Sequence, residues 1–234
     1  MVADPAEHLR HAAELERRDD EVARELETIR ALAERAGAVR SRAAEVRDGL
    51  VRIPEELDDL AARRVILEST VESARSELAA AESRLADLEG ARRKRADELE
   101  RARSEVATAR QQVTDAKSEL GRLDAQANDL HALDRDLRAE AAALPHEAAL
   151  VAADLRELQR VAESARGDPG SDLDDVEEWG ARVRSALFVA RGTLETERER
   201  IVVEANALGT AVLGETLGGS SVAVIRRRLE ESLR

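Results

Sequence analysis

This sequence predicts an all-α fold: elongated antiparallel coiled-coil hairpins around a long central helix, with a C-terminal helical segment. Three observations carry that expectation. Apolar residues recur every 3.5 positions from Leu15 to about residue 165, the spacing of a coiled-coil seam. Charged residues make up 37% of the chain and aromatics 1%, only Trp179 and Phe188, so the aromatic area that usually fills a compact core is missing. Helix stop and start signals interrupt the stripe near Pro54 and Pro145.

The first helix is expected over 7–48. Every seventh residue from Leu15 gives Val22, Ile29, Ala36, Ala43 and Leu50, with Leu32, Val39 and Val46 on the companion line. In VRDGLVRIPEEL, Gly49 reads as the residue just past a helix end, with Leu50 as the apolar residue after it. Pro54 then suits a new first turn, with Glu55 and Glu56 beside its positive end. The second helix, 55–144, continues the frame through Val71, Leu78, Leu85, Val106 and Leu120 and is about 135 Å long. Glu25, Arg64, Arg92, Arg95 and Asp134 place charge in the seam, and Ala102, Ala109 and Ala116 bury little area there. Pro145 opens a third helix, 146–166, completing a rod over 1–166. Residues 167–171, within ARGDPGSDLDD, form a linker with Ser171 or Asp172 as the next cap.

The frame crosses both prolines in phase, which favours one kinked helix in a parallel dimer. Flanking charges oppose that arrangement. Arg63–Glu68, Arg84–Glu89, Glu98–Arg103 and Glu105–Arg110 attract, whereas Glu14–Asp19, Arg35–Arg40, Arg42–Arg47, Glu77–Glu82 and Glu119–Asp124 repel. Folding back near Pro54, with Leu50 against Leu60, instead brings Arg40 to Glu68 and Arg35 to Glu77. An interior proline also costs about 3 kcal/mol. Antiparallel hairpins turning at Pro54 and Pro145 are therefore expected.

The segment 172–234 changes period toward 3.6, with Val176, Trp179, Val183, Leu187, Ala190, Leu194, Ile201, Ala205, Leu208 and Val212 on one face. Phe188, Val202 and Leu213 lie off that face and are candidates for contact with a partner. LGETLGGSS breaks the helix, and VAVIRRRLEESL restarts it with Val222, Ile225 and Leu229 as further interaction candidates. Gly214, Gly219, Ser220 and Ser221 have phosphate-loop spacing, but Ser220 stands where the phosphate-binding lysine belongs and no strand precedes it. Arg226, Arg227 and Arg228 precede Glu230 and Glu231, the pattern of a salt-bridged solvent face.

Arg92, Arg93, Lys94 and Arg95 form the densest cationic run in a chain of net charge −13. The turn at Pro54 would set them against Glu14, Glu16, Asp19, Asp20 and Glu21, a clasp that chooses register rather than supplies stability.

Chemistry is sparse. There is no cysteine. His8 and His11 share a face with Glu7 and Glu14 at a fraying helix end, and His131 and His146 are isolated. No catalytic, cofactor-binding or metal-ligating residue is assigned, no cofactor is implied, and the chain is read as not an enzyme. The N-terminus lacks a signal-peptide core and no run reaches membrane-span length, so a cytoplasmic location is expected. Of 37 basic residues only Lys94 and Lys117 are lysines, a bias that points to a GC-rich, bacterial genome.

The heptads of 15–165 resemble the arm segments of SMC-type proteins and other long bacterial coiled coils. No ATPase head motif accompanies them, so the resemblance carries over no catalytic residue. The expected function is a non-enzymatic scaffold, a spacer and protein–protein interaction module with a protein partner or a second copy of itself, 172–234 being its interaction end. No small-molecule substrate is implied. The competing class is a nucleic-acid-associated accessory protein using the two basic clusters, which the acidic balance opposes.

Overall fold

The computed structural model of the chain describes residues 5–91, 96–214 and 218–233. It is all-α. Helix α1 spans Pro5–Gly90, α2 Ala96–Glu157, α3 Leu173–Leu213 and α4 Val222–Ser232, with a 3-10 turn at Glu163–Ala165. Residue contacts divide the chain into two compact units, Val46–Glu140 and Met1–Glu45 with Ala141–Arg234.

The Val46–Glu140 unit is an antiparallel helical hairpin. Arg84 pairs with Glu105 at 3.1 Å, Arg110 with Glu82 at 2.8 Å, Arg103 with Glu89 at 3.2 Å and Arg64 with Asp124 at 3.2 Å. As numbers rise along α1 they fall along α2, so the two helices run antiparallel. The seam uses the heptad positions expected of it: Ile53, Val71, Ala74 and Ala81 on α1 are buried with Ala102, Val106, Ala109 and Val113 on α2. The leucines of the same stripe, among them Leu67, Leu88 and Leu123, are half-buried, because a two-helix seam covers a leucine from one side only.

The helix breaks expected at Pro54 and Pro145 are absent: each proline lies inside a continuous helix. Pro54 is exposed while Ile53 beside it is fully buried, so the cost of the missing N–H falls on the solvent side, where water can take the freed carbonyl. Pro145 stands next to fully buried Leu144. The in-phase heptads on both sides of each proline hold the helix together. Gly49 likewise sits within α1 rather than after it, against the Leu137 side chain of α2. The separate helices 7–48, 55–144 and 146–166 are accordingly replaced by two, α1 and α2, each of which runs through one of the prolines and takes part of the expected 55–144 helix.

The second unit packs the N-terminal half of α1 with the end of α2, α3 and α4. Leu15 and Ile29 of α1, Leu144 and Leu155 of α2, Trp179, Leu187, Leu194 and Ile201 of α3 and Ile225 and Leu229 of α4 are its largest fully buried side chains. α3 runs antiparallel to α1. Gly180 lies on Arg40, Arg198 reaches Asp19 at 2.9 Å, and Glu204 meets His11 at 3.2 Å. Between α2 and α3, Arg160 ties the connection to both neighbours through Glu25 at 3.2 Å and Glu197 at 2.9 Å.

Asp172 caps α3 as expected, its carboxylate accepting from the Asp175 N–H at 2.8 Å. Gly170, at φ 81°, is required just before it, since a β-carbon there would collide with Asp175. The helix ends on Gly214 at φ 68°, whose N–H donates to the Thr210 carbonyl at 3.0 Å.

Candidate functional site

The ten interaction candidates separate into three groups. Arg92, Arg93, Lys94 and Arg95 lie outside the described residues. Val222, Ile225 and Leu229 are buried within the chain: all three are at most 1% exposed, since an 11-residue helix with one apolar stripe holds its shape by burying it. Val202 and Leu213 are half-buried. Among the described candidates, Phe188 alone stands fully at the surface, at 78% exposure.

Four of the five acids in the acidic group of α1, Glu14, Glu16, Asp19 and Glu21, are partnered within their own unit. Arg17 holds Glu14 and Glu21, Arg198 holds Asp19, and Arg226 holds Glu16 while pairing with Glu230 at 3.0 Å. The hydrogen bond from Arg17 keeps the Glu14 carboxyl below the usual glutamate range, and Arg138 does the same for Asp134. The turn at Pro54 on which the clasp depended does not exist. Arg226 and Arg227 make the i,i+4 pairs with Glu230 and Glu231 expected of a salt-bridged face, and Arg226 also bridges α4 to α1 through Glu16. His11 meets Glu204 rather than a carboxylate of its own helix, and no cluster of three metal-binding side chains occurs among the described residues. Gly214 of the phosphate-loop spacing serves as a helix cap.

Around Phe188 the surface has a character of its own. Residues 179–194 carry Arg182, Arg184 and Arg191 and no acid. The α1 stretch 35–44 carries Arg35, Arg40 and Arg42, again with no acid, and Gly180 against Arg40 places the two stretches side by side. Glu178 and Glu195, at the two ends, reach Arg182 at 3.6 Å and Arg191 at 2.7 Å. Arg184 makes no ion pair among the described residues. Next to Phe188, Val189 is 65% exposed and also lines a groove of about 640 Å³ between α3 and the α2–α3 connection. Ala162, Ala186 and Ala190 line that groove with it, and Arg160 and Arg182 contribute their side chains.

Sequence reasoning singled out Phe188 but missed Gly180, Arg184, Val189 and Arg160. The missing signal was present: two acid-free windows in a chain with 50 acidic residues. That they face each other needed the antiparallel register of α1 and α3.

Comparison of the chain with protein-family models, with curated proteins and with solved structures gives no match. No helix among the described residues is long and apolar enough to cross a membrane.

Proposed function

We propose that this chain is a non-enzymatic scaffold in which a helical hairpin acts as spacer and the α3 surface receives a protein partner. One observation carries the reading: Phe188, the largest exposed apolar side chain among the described residues, stands beside exposed Val189 and the groove that Val189 lines. Large exposed apolar groups of this kind mark interaction surfaces when they adjoin a groove and a charged rim. The hairpin supports the spacer role, because its two helices pair with each other through Val71, Ala81, Val106 and Val113 and carry ion pairs between them along their flanks.

Crosslinking mass spectrometry on the full chain in cell extract, from a photoactivatable residue placed at the exposed position Thr193, tests the reading. The expected result is a small set of proteins joined to residues near 180–200, insensitive to nuclease. Recovery of nucleic acid that is released steeply by salt would overturn it, since phosphate contacts are the salt-sensitive kind.

A further inference from the structure

We propose that Arg40 of α1 and Arg184 of α3 form a binding site for a phosphoryl dianion, carried by inorganic phosphate or by a phosphate ester. The half-buried arginines among the described residues are Arg18, Arg40, Arg47, Arg166 and Arg226. Arg18 pairs with Glu204, Arg47 with Asp48 and Arg226 with Glu16 and Glu230, while Arg166 donates to the Leu158 carbonyl. Arg40 alone has neither an ion pair nor a hydrogen bond among the described residues, and its Nε is covered without an acceptor. A covered guanidinium nitrogen with no acceptor is costly and calls for a reason. Packing explains the stem, because Cβ, Cγ and Cδ of Arg40 lie across Gly180. It does not explain the charge. Only the Nε is covered, so the two Nη groups remain open to a ligand.

The second cation comes from α3. Arg184 stands one turn after Gly180, which touches Arg40, and two heptads before Arg198, which touches Asp19. Both of those positions face α1, so Arg184 lies on that side of α3. It is exposed and makes no ion pair among the described residues. Side chains lean toward the N-terminus of their own helix. Because α1 and α3 run antiparallel, Arg40 leans along α3 toward Arg184, and Arg184 leans back toward Gly180. One turn, a rise of about 6 Å, separates Gly180 from Arg184, so one oxyanion is within reach of both guanidinium groups. The floor between them is small. Ala33 and Gly37 lie on the Arg40 line of α1, and nothing stands within 4 Å of the place a β-carbon on Gly37 would take.

The acids bordering the two stretches do not neutralise this pair. Glu34 is held by Arg30 at 3.2 Å, Glu195 by Arg191 at 2.7 Å and Glu178 by Arg182 at 3.6 Å, and Glu177 has a partner of its own. Glu45 stands about 140° around α1 from Arg40. Two unpaired guanidinium forks match a ligand with two negative charges and several acceptor oxygens, which is a phosphoryl group rather than a carboxylate.

Inorganic phosphate, acetate and a labelled neutral peptide bearing one phosphoserine serve as probes of the full chain at physiological salt. Calorimetry follows the ions and fluorescence anisotropy the peptide. Phosphate and phosphopeptide should bind at one shared site per chain and compete, while acetate and the unphosphorylated peptide should not bind. Arg184→Ala and Arg40→Gln should each weaken binding about tenfold or more, and Arg184→Lys should recover only part of the loss. Arg63→Ala, at an exposed arginine of the Val46–Glu140 unit, should leave binding unchanged. Arg184 is exposed, so its variants should keep native helicity and melting, and they carry the test even where Arg40→Gln loosens the contact between α1 and α3. Phosphopeptide bound more tightly than phosphate would assign the site to a phosphorylated partner, and equal affinities would assign it to the free ion. Acetate binding as well as phosphate, binding that survives Arg184→Ala, an equal loss in Arg63→Ala, or no binding of phosphate at about 10 mM would overturn the proposal. None of these outcomes bears on the scaffold reading, which rests on Phe188 and Val189.

Discussion

Gly180 of α3 lies so close to Arg40 of α1 that a β-carbon on it would come within 2.7 Å of the Arg40 Cβ. That atom is anchored to the α1 backbone and cannot swing aside. At Gly49 the same 2.7 Å approach is to the Leu137 Cδ1, the far end of a flexible side chain, and at Gly37 the space is empty.

These three helical glycines should therefore respond differently to alanine. Gly37→Ala is expected to stabilise by about 0.5–1 kcal/mol, the ordinary propensity gain. Gly49→Ala should fall close to neutral, with that gain offset by a turn of Leu137. Gly180→Ala should destabilise by about 1–3 kcal/mol through overpacking. Arg40→Ala keeps the offending β-carbon and should not rescue Gly180→Ala, whereas Arg40→Gly should recover part of the loss. Urea melts of the five variants check the order, and rescue by Arg40→Ala would refute the close approach.

Leu229 and Phe188 test the division between core and surface in the C-terminal segment. Leu229→Ala opens a cavity beneath α4 and should cost about 2–4 kcal/mol, with amide exchange accelerating across 222–232. Phe188→Ser should change stability by less than about 0.5 kcal/mol. Equal costs would mean that α4 is not seated as described.

The antiparallel register of the hairpin is checked by charge reversal. Arg110→Glu places a like charge against Glu82 and should cost no more than about 1 kcal/mol, since both side chains are largely exposed. Glu82→Arg in the same chain should restore most of that loss. A double variant no better than the single one would mean that the two residues are not partners.

Acid should weaken the Glu14–Arg17 contact in a defined direction. The Glu14 carboxyl titrates lower when folded than when unfolded, so in the window between the two values the unfolded chain binds more protons. Its contribution is present at neutral pH and fades as pH falls below the ordinary glutamate value of about 4.3. Melting temperature measured at neutral pH and on the acid side of that value should fall less in Glu14→Gln than in the native chain. An identical fall in both would show that the contact does not persist in solution.

Much of the local structure was legible in the sequence because local physics decides it. The 3.5-residue stripe named Val71, Ala81, Val106 and Val113 as seam residues and the 3.6-residue stripe named Trp179, Leu187 and Leu194 as core, since helical periodicity alone assigns a face. Asp172 was readable as a cap for the same reason: its carboxylate serves an N–H three residues away. The partner of each stripe was not. A heptad seam accepts a parallel copy, an antiparallel copy or its own chain folded back, and the difference lies in contacts between residues far apart in sequence, such as Arg84 with Glu105. Pro54 and Pro145 were misread as turns because the local cost of a proline is easily seen, while the buried residues beside it, Ile53 and Leu144, act only once a second helix is in place. Tertiary packing likewise decided that Val222, Ile225 and Leu229 are covered and that Phe188 is not. An apolar residue on a helix states that it can be buried, and only the neighbouring helix determines whether it is.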